Sequence, residues 1–128
     1  MRFLGSLPSE ELKIPLSAAD VFILATSNEG WANVFLEAMA CGLPVVTTDV
    51  GGNKEVVNSQ ELGIIVPFGR PKELEMGIDK AIETQWNKER ILSYARQNNW
   101  EKRVSALVYN FKNIVNEYQA QGNKTKDK

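Results

Sequence analysis

Three short apolar runs mark the first half of the chain, each with a polar boundary: Asp20-Val21-Phe22-Ile23-Leu24-Ala25, Leu43-Pro44-Val45-Val46-Thr47-Thr48 and Leu62-Gly63-Ile64-Ile65-Val66-Pro67. Continuous apolar runs of that length fit strands covered on both faces. Between the first two, Trp31, Val34, Phe35, Ala38 and Met39 fall at the i, i+3, i+4, i+7 and i+8 positions of a helical stripe. Ala32, Leu36 and Ala40 make the other sides small or apolar. The spacing predicts a helix over 31–41 that is buried nearly all round. A short helix at about 53–58 precedes the third run. Strand, helix and strand in that rhythm imply a parallel α/β sheet with right-handed crossovers. Ligands of such open sheets sit at the carboxyl ends of the strands, where Ser27 to Trp31 and Asp49 to Asn53 both emerge.

The flanks are less regular. Arg2-Phe3-Leu4-Gly5 is a short apolar stretch followed by a turn-like Ser6 to Pro8. Ser9, with Glu10 and Glu11 behind it, reads as an N-cap and an acidic first turn. Pro15 disfavours helix at Ile14, which predicts a kink or a restart before residues 16–19. From Pro71 the pattern turns helical: Leu74, Gly77, Ile78, Ala81 and Ile82 form one amphipathic face, and Asn87 to about Arg96 a second helix. Asn98 to Glu101 caps a last helix bearing Val104, Leu107, Val108, Phe111, Ile114, Val115 and Tyr118. The closing Gly-Asn-Lys-Thr-Lys-Asp-Lys has no apolar residue. Residues 1–120 are therefore expected to form the folded part and 121–128 a disordered tail.

Two polar residues stand out on the central helix. Asn33 and Glu37 share one face at i, i+4, and on a covered helix the Glu37 carboxylate requires a donor, because a buried unpaired charge is strongly unfavourable. No cation lies within one turn of it. A vicinal diol such as a nucleotide ribose would supply two hydroxyl donors to its two oxygens. The first turn after Gly30 offers free backbone N–H groups and the positive end of the helix dipole to a phosphate or a sugar hydroxyl.

Glu29, seven intervening residues and Glu37, followed by Ala38 to Val46 and then Gly51-Gly52-Asn53-Lys54-Glu55-Val56-Val57, resemble the C-terminal donor-binding domain of the retaining, GT-B fold glycosyltransferases of group 1. The resemblance runs from about Phe3 to about Tyr118. It implies a Rossmann-like parallel sheet flanked by helices, the C-terminal part of a GT-B fold, ending in helices. It also implies a UDP- or GDP-sugar donor. Glu29 would lie beside the sugar and the scissile bond as the catalytic carboxylate, steadying an oxocarbenium-like transition state, and Glu37 would hydrogen-bond the ribose. Asn28, Gly30, Trp31, Ala32, Asn33 and Val34 would complete the donor contacts, with Gly51 and Gly52 as further loop contacts. The last helix of that family packs back toward the other domain. An N-terminal acceptor domain, and a basic pair for the diphosphate, belong to the family pattern and have no match in these residues. The chain is thus expected to be N-terminally truncated and inactive by itself, and the longer form cytoplasmic with peripheral membrane contact.

Composition narrows this further. The chain has 128 residues, 43% of them hydrophobic, enough for a single core in one domain. Fifteen basic against sixteen acidic residues, for a net charge of -1, form no basic stripe and speak against nucleic acid as a partner. With no histidine and no clustered carboxylates, no metal site is readable and a metal-independent reaction without a cofactor is expected. The lone Cys41 fits a reducing compartment and is expected to be a buried structural thiol.

Each site residue also has an ordinary reading. Glu29 at a helix N terminus gains about 0.3 to 1 kcal/mol from the dipole whatever else it does. Gly30, Gly51 and Gly52 serve either a tight turn or close ligand approach, and Glu55 either the helix dipole or a site. Glu37, in mid-helix, gains nothing from the dipole. The two glutamates are about 12 Å apart along a helix at 1.5 Å per residue, too far for the carboxyl pair of a retaining hydrolase at about 5 to 5.5 Å. One donor lying along the helix suits that span. The alternative is a non-catalytic nucleotide-sugar-binding or structural half-domain.

Overall fold

The computed structural model describes residues 1–28 and 33–124, with side chains through residue 118. Glu29, Gly30, Trp31 and Ala32, four of the expected donor contacts, lie outside the described residues. So do residues 125–128 of the tail expected to be disordered, while the last helix runs through Lys124.

Contacts divide the chain into two units, Met1–Arg96 and Gln97–Lys128. The first is α/β. Its elements are α1 (Ser9–Ser17), β1 (Phe22–Leu24), α2 (Asn33–Ala40), β2 (Val45–Thr48), α3 (Asn53–Val56), β3 (Gly63–Val66), α4 (Pro71–Glu83) and α5 (Lys88–Gln97), the last ending one residue past the division. The three strands are parallel in the order β1-β2-β3, with Phe22 beside Val45, Val45 beside Gly63 and Thr48 beside Val66. The predicted Rossmann-like arrangement is therefore present.

The register sorts the sheet into two faces, because side chains alternate along a strand. Phe22, Leu24, Val45 and Ile65 look one way, into a core with Phe35 and Met39 of α2, Val56 of α3 and Ile91 of α5. Phe22 and Phe35 meet edge to face, ring centroids 6.3 Å apart. Ile23, Val46, Ile64 and Val66 look the other way. There α4 lies so close that a β-carbon on Gly77 would sit 3.0 Å from Val66 Cγ1.

Several expectations change. The strand expected over Asp20 to Ala25 is three residues long, and Ile23 is 42% exposed. Helix α4 packs on β2 and β3, so it leaves the outer face of β1 open. Helix α1 is continuous through Pro15 rather than restarted; Pro15 falls in its last turn, where its missing N–H removes one hydrogen bond, to the Glu11 carbonyl. Ser9 is its first residue and not its cap. Pro8 holds the cap position, its carbonyl accepting from the N–H groups of Glu11 and Leu12. Phe3 and Leu4 are exposed and form no strand. Cys41 is half-buried, its Sγ 3.9 Å from the Ser17 hydroxyl.

The second unit is carried by α6 (Trp100–Lys124). Asn99 caps it: the Lys102 N–H donates to Asn99 Oδ1 at 3.0 Å. Its apolar stripe, Leu107, Val108, Phe111, Ile114, Val115 and Tyr118, is exposed. No helix among the described residues is long and apolar enough to cross a membrane.

Candidate functional site

The carboxyl ends of the three strands come together at one edge of the sheet. Ser27 and Asn28 leave β1 there, Asp49 to Gly52 leave β2, and Pro67 to Arg70 leave β3. Of the expected site residues, Asn28, Asn33 and Glu37 are exposed and Val34 is half-buried. Gly51 has φ of +49°, a conformation glycine adopts readily, whereas Gly52 at -84° needs no glycine.

Helix α2 is not buried all round. Phe35, Ala38 and Met39 are buried against the sheet, while Asn33, Glu37 and Ala40 form an exposed row on the opposite side. Eight residues flanking a short strand can be covered on one side only, and alanine tolerates water as readily as a core. Glu37 therefore carries no desolvation penalty that demands a partner. Its carboxylate is exposed with no hydrogen-bond or ion-pair partner among the described residues, and Asn33 stands one turn before it on the same face.

Beneath the loops lies a polar network that the apolar run at 43–48 only hinted at. Thr48 Oγ1 donates to the Thr26 carbonyl at 2.6 Å and accepts from the Thr26 N–H at 3.2 Å. Thr47 Oγ1 donates to the Leu24 carbonyl at 2.8 Å. Asn53 is fully buried, and its Nδ2 donates to Thr47 Oγ1 at 3.0 Å and to the Thr48 carbonyl at 2.9 Å. The two acceptors set the orientation of the amide, and Oδ1 is left without a partner among the described residues. Two threonines closing a buried strand, with a buried asparagine after Gly51-Gly52, were the available signal. At the loop rim, Lys54 pairs with Asp49 at 2.6 Å, both exposed.

A cavity of about 390 Å³ opens at the same edge on the α4 face. Thr26, Ser27 and Thr48 line one side, and Phe68, Arg70 and Leu74 the other. Its size falls within the range of small-molecule sites. Neither Phe68 nor Arg70 belongs to a sequence motif, and only the return of β3 to the same edge places them opposite Ser27.

Residues 1–120 match the family model for glycosyl transferases group 1. An uncharacterized glycosyltransferase of Methanocaldococcus jannaschii is 33% identical over 115 residues, 90% of this chain and 28% of the relative. A D-inositol 3-phosphate glycosyltransferase of Corynebacterium urealyticum is 30% identical over 118 residues, 89% of this chain and 28% of the relative. A GDP-mannose-dependent alpha-mannosyltransferase of Mycobacterium tuberculosis is 33% identical over 67 residues, 52% of this chain and 18% of the relative. The chain thus spans less than a third of the length of each of these proteins. A three-stranded parallel sheet with its loops gathered at one edge and a family match over nearly the whole chain place it together: the chain belongs to the glycosyl transferases group 1 family.

Proposed function

We propose that this chain recognises the nucleotide-sugar donor of a retaining glycosyltransferase, with the sugar at Glu29 and the ribose at Glu37. The observation that carries the reading is the exposed carboxylate of Glu37, unpartnered among the described residues, on a helix that follows the strand-end elbow. A carboxylate so placed accepts two hydroxyl hydrogen bonds from a diol without breaking any contact of the fold. Asn33, one turn earlier on the same face, stands nearer the elbow, where the donor's diphosphate would meet the first backbone N–H groups of the helix. Glu29 would then face the anomeric carbon and stabilise positive charge as the leaving diphosphate departs. The donor is a UDP- or GDP-sugar; the GDP-mannose-dependent relative supports GDP. Acceptor binding falls to residues outside this stretch, and the chain alone is expected to bind donor without turnover.

An amide NMR titration of the chain with UDP, GDP and ADP tests this. For one nucleotide, shifts are expected at Asn28, at Asn33 to Glu37 and at Gly51 to Asn53. Glu37→Ala is expected to weaken binding by on the order of 10- to 100-fold, the value of charge-assisted hydrogen bonds. Unchanged affinity in Glu37→Ala, or no binding of any nucleotide, would overturn the reading. In that event a structural half-domain, the second reading, takes its place.

A further inference from the structure

We infer that Thr48 is a positioning residue for the donor site: its hydroxyl clamps the elbow after β1, and Asn53 ties that clamp to the loop after β2. The inference rests on the donor reading for its purpose and on the hydrogen bonds alone for its mechanics.

The β1–β2 ladder ends at Leu24 beside Thr47. Beyond that point Ala25 to Asn28 have no strand pairing among the described residues. Thr48 takes over. Its one hydroxyl donates to the Thr26 carbonyl and accepts from the Thr26 N–H, so it occupies both polar groups of a single peptide position, as a neighbouring strand would. It is itself only 5% exposed and bounded by β3, with Thr48 beside Val66.

Asn53 makes the clamp common to two loops. Its Nδ2 holds the Thr48 carbonyl and the Thr47 hydroxyl, and that hydroxyl in turn holds the Leu24 carbonyl. From Leu24 to Thr26 on one strand end, and from Thr47 to Asn53 on the next, every one of these links is a side chain reaching a neighbouring segment. The elbow at Thr26 and the Asp49 to Asn53 loop therefore keep one relative position. Valine at 48 retains the shape and loses both hydrogen bonds; serine keeps both and loses only a methyl.

The test compares Thr48→Val and Thr48→Ser in the whole chain by amide hydrogen exchange, with UDP, GDP and ADP titrations alongside. In Thr48→Val, exchange at Thr26, the elbow amide that Thr48 holds, is expected to quicken at least tenfold, while the β2 and β3 amides at Val46 and Ile64 keep their protection. Thr48→Ser is expected to restore wild-type rates at the elbow. For the nucleotide that binds the wild type, Thr48→Val is expected to weaken affinity about tenfold and Thr48→Ser to leave it within twofold.

Elbow exchange unchanged in Thr48→Val overturns the clamp. Exchange quickened equally across the sheet, or serine failing to rescue, overturns the positioning role in favour of general support of the fold. Quickened elbow exchange with unchanged nucleotide affinity also overturns positioning. If no nucleotide binds the wild type while the exchange results hold, the donor reading fails, and with it the clamp's assignment to a donor site.

Discussion

At Gly63 the available space is set by a neighbouring backbone. A β-carbon there would stand 2.0 Å from the Val45 carbonyl oxygen, and a carbonyl in a parallel ladder cannot withdraw as a side-chain tip can. Gly63→Ala must therefore displace β3 from β2. A loss of at least about 3 kcal/mol is expected, beyond the usual range for overpacking by one methyl group. Urea denaturation of the two chains measures it, and a change under about 1 kcal/mol would show that the strands can part locally. Nothing in Leu62-Gly63-Ile64 announced this contact. The run read correctly as a strand, since its apolar continuity is local, but the reason for its glycine is a segment eighteen positions away. Glu37 teaches the converse. Its isolation among apolar neighbours was legible, whereas its exposure was not, because a count of apolar residues cannot tell an alanine facing water from one facing a core. The Thr26 to Thr48 pairing, twenty-two residues apart, was equally beyond reach of a local pattern.

Among the elements, α1 departs furthest from expectation. Pro15 sits inside a nine-residue helix, with Leu16 beyond it buried against Ala38 and Leu43. The local rule against helix before proline was outweighed by that anchorage, as burial commonly outweighs propensity in elements this short. The residual penalty is still present. Pro15→Ala, which restores an N–H to the last turn, is expected to stabilise the chain by about 1 to 3 kcal/mol. A rise in thermal midpoint measures it; a fall would mean that the ring's own packing outweighs the missing hydrogen bond. Helix α2 shows the same interplay at the site. Its buried row of Phe35, Ala38 and Met39 was predictable from spacing, and that row is what holds the opposite row of Asn33 and Glu37 outward.

For the molecule as a whole, β1 is an end strand among the described residues, paired with β2 alone, and its Ile23 is open to solvent. Exposed edges with apolar side chains invite pairing with other chains. Ile23→Lys is expected to suppress association at high protein concentration while changing stability by no more than about 0.5 kcal/mol, as for an exposed site. Light scattering against concentration, with a thermal melt of each chain, separates the two effects. Equal scattering from both chains would place any association elsewhere.

The close seating of α4 at Gly77 fixes one side of the cavity. Leu74 and Gly77 are one turn apart on the same side of that helix, so the wall that Leu74 gives the cavity is locked to the sheet through the Gly77 contact with Val66. That side of the cavity is part of the sheet's own packing, whereas Phe68 and Arg70 across from it are exposed on the loop after β3. Any change in the width of this opening therefore falls to the loop and not to the helix.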